Sequence, residues 1–433
     1  MSIMFVFVSI GCMDYRANVG WSSPVINDGN LYFATKSGDV RAVVIETGQT
    51  IWTRSLKGTG KSRDQTTTFY GDPVFFNGNI IIAGYNGLVY SIDSNGDDNW
   101  VRKVGSNNVD SDSNVVGSVA IAADKLLVGS SDGYIYAFSI EEGILNWRFK
   151  TGNKIWSTPS YFEGIVYITS FDRHIYAIDL TDGNLIWKFK TDGAIVSRPQ
   201  IIGDDLFFGT LGTTFYALDR KTGNEKWRFE DSSGWFWSDP VIFNDMVLAP
   251  SLDGILYALD RDSGQIKWTL PVQSPIVSRP VIIGQKFALA TTDGRVIVSD
   301  LKTGIELGSC DLDKEIRSPL VSFDEYLIVV PEDGSVRLIS VGSSGDLDEI
   351  WIDPNYLFDL CKLLKENKDF NLVYLVAITC VDYVDRFQLV YHIKSLEYNH
   401  SLVVKTELIG RDSPSVSSVI SIWPAADLQE REI

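Results

Sequence analysis

The 433-residue sequence predicts a mostly β fold, an eight-bladed β-propeller of four-stranded blades followed by a small α+β domain. Two recurring signals predict the ring. Tryptophan stands four residues after a turn glycine at Trp52, Trp100, Trp147, Trp187, Trp227 and Trp268, in steps of 48, 47, 40, 40 and 41 residues. A Ser-x-Pro opening recurs from Ser157, Ser197, Ser238 and Ser278, with weaker counterparts near Pro24, Pro73, Val119 and Pro319. That makes eight units with a period near 40, each holding about four short β-prone segments. This is the spacing of propeller blades. Helical solenoids share the period, but the units contain no run with helical apolar spacing, and Gly, Asp and Asn interrupt them every few residues.

The first eleven residues, MSIMFVFVSIG, are apolar and precede Cys12. One reading of residues 1–14 is the remnant of a lipoprotein signal, with Ser9-Ile10-Gly11-Cys12 as cleavage box and Cys12 lipidated; a basic leading region is missing. The other is an ordinary strand, Ile3–Ile10, closing the last blade. The absence of strand-period alternation favours the signal.

The ring is expected over residues 15–342. Its clearest unit is Ile175–Lys190, IYAIDLTDGNLIWKFK. Ile175–Ile178 is apolar and β-prone; Asp179, Thr181, Asp182 and Gly183 form turns; Ile186–Phe189 resumes a strand around Trp187. In such a unit the indole fills the wedge between neighbouring sheets, and burying one ring contributes roughly 1.5–3 kcal/mol. Two units depart from the pattern. In the seventh, Gly308 stands where Trp is expected; in the eighth, the turn glycine shifts to Gly334 and the Trp comes late, at Trp351.

The motif A-x-D-x-x-T-G-x-x-x-W, best seen in Ala217, Asp219, Thr222, Gly223 and Trp227, resembles the tryptophan-docking repeat of the pyrroloquinoline-quinone-like propellers. The resemblance covers roughly residues 15–350. It implies a ring held by Trp docking and allows three roles. One is a non-catalytic scaffold, similar to the lipoprotein propeller of the outer-membrane barrel-assembly machinery. Another is an appended module of a respiratory complex. The third is a quinoprotein dehydrogenase, which usually carries a vicinal Cys pair and a calcium-binding acidic cluster that this sequence lacks.

Cysteines stand at 12, 310, 361 and 380, and histidines at 174, 392 and 400, without C-x-x-C, zinc or disulfide spacing. No cofactor and no metal are therefore expected. The net charge of -18 argues against nucleic acid as a partner. A protein partner is expected at the ring's rim, near the openings of the middle blades, where Arg198, Trp235, Trp237 and Arg279 fall in register; Arg and Trp dominate interface hot spots. The alternative for the Trp pair is packing within the blades.

Residues 343–348 read as a linker and 349–433 as a second domain. Asp353 can cap a helix with Pro354 at its first position, and Tyr356, Leu357, Leu360, Leu363 and Leu364 share one face. Strands follow from Leu372, Phe387 and His400. The runs LVAITCVDY, FQLVYHIKSL, SLVVKTEL and PSVSSVISIWPAADLQEREI resemble the 30 kDa subunit of NADH:quinone oxidoreductase, respiratory complex I. Trp423, Pro424, Asp427, Glu430, Arg431 and Glu432 match the start of that family's signature. The resemblance implies a peripheral-arm subunit without a redox centre, docking beside the quinone-site subunit. A lipidated Cys12 implies an extracytoplasmic lipoprotein; a functional C-terminal domain implies the cytoplasmic face of a membrane.

Overall fold

The computed structural model describes residues 22–341 apart from 36–37, 45–49, 57–67, 106–112, 313, 324–325 and 333–336. Beyond these it describes 350–351, 361, 365, 374–382, 386–394, 401–409, 416, 418–424 and 426. Cys12, Asp427, Glu430, Arg431, Glu432 and the helix expected from Asp353 to Leu364, apart from Cys361, lie outside the described residues.

Each repeat folds as an antiparallel meander. The fourth blade is representative, with strands Ser160–Phe162, Ile165–Thr169, His174–Asp179 and Leu185–Lys190 paired in order. Its first strand is short. Its middle strands carry the apolar residues that bury on both faces, and its last strand alternates exposed and part-buried residues. A bulge between Ala177 and Ile178 sets Trp187 opposite Ala177. The blades span 25–55, 74–103, 120–150, 160–190, 200–229, 241–271 and 281–311.

The ring therefore has seven four-stranded blades, which corrects the expected eight. Among the described residues the eighth unit forms a three-stranded sheet, Val321–Phe323, Tyr326–Val329 and Arg337–Ser340. The physical reason lies in the two departures seen in the sequence. Gly308 gives that unit no indole to dock against. The segment expected to complete it, Ile350–Trp351, pairs instead in parallel with Ser401–Ile409, Ile350 facing Val404 and Trp351 facing Lys405.

The expected α+β character of the C-terminal region is not confirmed, because the expected helix, apart from Cys361, lies outside the described residues. Among the described residues the region is a four-stranded sheet, ordered Ile350–Trp351, Ser401–Ile409, Arg386–Lys394, Tyr374–Asp382, with no helix of described extent. One face of this sheet buries Leu375, Leu389, Tyr391, Ile393 and Val404 with Trp423. On the opposite face, Val390 joins Leu31, Phe33 and Val43 of the first blade and Tyr326 and Ile328 of the three-stranded sheet in one buried cluster. The seam of the ring thus packs against the C-terminal sheet.

Candidate functional site

Neighbouring blades are joined by one recurring contact. Trp52, Trp100, Trp147, Trp187, Trp227 and Trp268 lie against Gly96, Gly143, Gly183, Gly223, Gly264 and Gly304 of the following blade. The indole N–H reaches over to donate to that blade's backbone: Trp147 to Leu180 O at 2.7 Å, Trp187 to Arg220 O at 3.0 Å, Trp227 to Arg261 O at 2.8 Å. Trp268, the last of the series, buries its Nε1 without a partner. The turn aspartates are equally local in their roles. Asp260 Oδ1 accepts the Asp262 and Ser263 N–H groups and the Ser263 hydroxyl, and Lys267 lies 3.0 Å from its Oδ2.

A second ring of contacts runs around the axis, at the middle position of each Ser-x-Pro opening. The Ser23 N–H donates to Asp72 Oδ1 (2.6 Å), Asp72 N–H to Ser118 Oγ (2.8 Å), Ser118 N–H to Thr158 Oγ1 (2.9 Å), and Arg198 N–H to Asp239 Oδ1 (2.7 Å). Each bond joins one blade to the next. Arg198 and Arg279 occupy two of these positions and offer no acceptor, so the belt is interrupted there and charge enters the channel wall. Burial raises Asp72 above the ordinary carboxylate range, and the neighbouring Asp239 charge adds to this against Ser23 and Arg279. Burial raises Asp239 too, opposed by the Arg198 N–H and by the Arg279 and Arg198 charges. Burial lowers Arg198, and Arg279 reinforces the effect.

These groups border a cavity of about 120 Å³ at the channel mouth, walled by Tyr70, Asp72, Trp156, Trp237, Ser238, Asp239, Arg279 and Arg317 among others. The four residues expected at a partner-binding rim are separated by the structure. Trp237 and Arg279 line the cavity. Arg198 is partly buried, its Nε donating to Ser160 Oγ at 3.1 Å. Trp235 is 50% exposed and faces out. Asp72 and Asp239 are not singled out by sequence reasoning; the middle position of the opening is the available signal. Among the described residues no group of three or more His, Cys, Asp or Glu is placed to hold a metal, and no helix is long and apolar enough to cross a membrane.

The blades, their Trp docking and the axial belt define a PQQ-like repeat β-propeller. The family model described as outer membrane protein assembly factor BamB matches residues 17–149, 131–274 and 198–321, most of the chain, and the chain belongs to that family. The fold is shared with the crystal structure of BamB from Moraxella catarrhalis, at TM-score 0.60 and 20% identity over 77% of this chain and 97% of that one. It is shared also with the computationally designed Ika8 protein, at TM-score 0.62 and 16% identity over 75% of this chain and 97% of that one. A second family model, respiratory-chain NADH dehydrogenase 30 Kd subunit, matches residues 350–433. The NADH-quinone oxidoreductase C subunit of Coxiella burnetii is 31% identical over 130 residues, 22% of this chain and 57% of the relative. Its Moorella thermoacetica counterpart is 35% identical over 96 residues, 22% of this chain and 63% of the relative. The chain spans 57% and 63% of the length of these relatives and carries a region resembling them.

Proposed function

We propose that the chain is a non-catalytic, membrane-associated interaction scaffold whose ring captures a protein partner at the rim bearing Trp235. The observation that supports this reading is how Trp235 is presented. Half of its surface is open, while its neighbour Phe236 is 1% exposed and packs on Phe215 with ring centroids 5.4 Å apart. The backbone on both sides is tied down: Phe236 N–H donates to Thr210 O and Trp235 O accepts from Leu252 N–H at 2.9 Å. A large aromatic held this rigidly loses little entropy on binding and is a common hot-spot anchor. The family's description as an outer membrane assembly factor supports a protein partner and, with the apolar residues before Cys12, membrane association. Cross-linking from a photoreactive group at position 235, beside affinity capture with wild type and Trp235→Ala, tests the reading. Loss of capture at an unchanged melting temperature is expected; equal recovery of every partner by both proteins would refute it.

A second reading, an accessory peripheral-arm subunit of respiratory complex I, is favoured by the match to the 30 kDa subunit and by the packed sheet around Trp423. Its partner would be the quinone-site subunit. Co-purification of the intact chain with the complex I peripheral arm tests it, and a chain recovered free of that arm would count against it.

A further inference from the structure

The serine that opens a repeat has the same task in four of them. Ser157, Ser197, Ser278 and Ser318 donate to the carbonyl twelve residues on, at Thr169 (3.1 Å), Gly209 (3.2 Å), Ala290 (2.8 Å) and Val330 (2.7 Å). Ser278 also accepts the Ala290 N–H at 3.3 Å. Ser238 departs from this: its hydroxyl is buried without a hydrogen-bond partner, and Pro250, twelve residues on, has no N–H to donate back. The residue is 6% exposed and borders the channel-mouth cavity. An unpaired buried hydroxyl costs about 1–3 kcal/mol, and its oxygen is closed to a ligand in the cavity.

The same cavity holds charges that the protein leaves unmatched. The Arg279 guanidinium makes no hydrogen bond and no ion pair among the described residues, although it feels both Asp72 and Asp239. Asp239 uses one carboxylate oxygen for the belt, and its Oδ2 takes no hydrogen bond among the described residues. The four charged residues that line the cavity, Asp72, Asp239, Arg279 and Arg317, are formally neutral together. A lone anion drawn to Arg279 meets two carboxylates; a lone cation drawn to Asp239 meets two guanidiniums. A ligand carrying both signs a few bonds apart satisfies the donors and the acceptors together.

We propose that the channel mouth binds a free α-amino acid, its carboxylate on Arg279 and its ammonium on Asp239 and Asp72. The cavity of about 120 Å³ suits a small one, such as glycine or alanine. Trp156 and Trp237 wall the site with apolar surface, which strengthens both charge contacts. The site is independent of the protein-partner reading, because Trp235 is not among the residues lining the cavity.

The test is calorimetry on the full chain with glycine, L-alanine, N-acetylglycine and glycinamide. The two amino acids bind, and the two singly charged analogues bind at least about tenfold more weakly. Arg279→Gln, which leaves the belt intact, weakens glycine at least about tenfold at unchanged melting temperature, whereas Ser238→Ala raises the melting temperature and leaves glycine binding as it was. N-acetylglycine binding as tightly as glycine would reduce the site to an anion or peptide-terminus pocket and overturn the proposal. Absence of binding by either amino acid, or unaltered affinity in Arg279→Gln, would overturn it equally. Loss of Trp235-dependent partner capture with glycine binding retained refutes only the scaffold reading.

Discussion

The Trp227 indole lies flat against Gly264 of the next blade, so closely that a Cβ on the glycine would sit 2.5 Å from Cε3 of the ring. Gly264 has φ +72°, in the left-handed region that side chains avoid. Trp227→Ala opens a cavity at a blade interface and should cost about 3–5 kcal/mol. Gly264→Ala adds backbone strain of at least about 1 kcal/mol to the steric clash. Denaturant unfolding of both variants checks this; wild-type midpoints in both would exclude Trp–Gly docking as a source of stability.

Val390 is buried at the seam with Leu31 and Phe33. A carboxylate there would be unpaired among apolar side chains. Val390→Asp should therefore lower the melting temperature of the ring itself and open the first blade to protease. Limited proteolysis with mass spectrometry reads the outcome. Cleavage confined to residues after 341, with the first blade still protected, would show that the ring closes without the C-terminal sheet.

Asp260 is held down to a pKa of about 2, chiefly by the Ser263 hydroxyl and then by Lys267. Its depressed value means that its contribution is complete above the unfolded carboxylate pKa of about 3.9 and disappears as pH falls toward about 2. Asp260→Asn should be less stable than wild type at pH 7 and equal to it near the acid limit. Melting temperatures of the pair across that range measure the difference; a gap that does not change with pH would exclude the ionised turn.

Asp239 carries the opposite sign. Burial raises it, so ionisation works against the fold: its stabilising protonated form is complete below about 3.9 and is lost as pH rises through the folded value. Asp239→Asn keeps an acceptor for the Arg198 N–H and removes the titration. The stability of wild type relative to this variant should fall between acid and neutral pH. Parallel denaturation midpoints at both would remove the desolvation argument.

Much of the ring was legible because its joints repeat. The same Gly-to-Trp spacing marks six blades, but the sequence could not show that Trp147 docks on Gly183 of the next blade and not on Gly143 of its own. The eighth blade was overcounted for a physical reason: Trp351 reads as a late docking residue, yet its strand is recruited by Ser401–Ile409. At the channel mouth, Arg198 and Arg279 stood out as basic residues in an acidic chain. Asp72 and Asp239 did not, because they are two of 56 acidic residues. Their burial exists only once the first strands are arranged around an axis. Ser238 looked like every other opening serine; its unpaired hydroxyl shows only in the fold.

The cluster that unites Leu31 and Phe33 with Val390 sets a timetable for biosynthesis. Each later blade can settle against its predecessor as it leaves the ribosome. The first blade packs instead against residues still untranslated. At about 5–20 residues per second, the surface it will bury there waits tens of seconds for its cover. Through that interval the nascent chain presents an apolar edge at its oldest end, so a holdase that recognises the first blade would be released by the arrival of the C-terminal sheet.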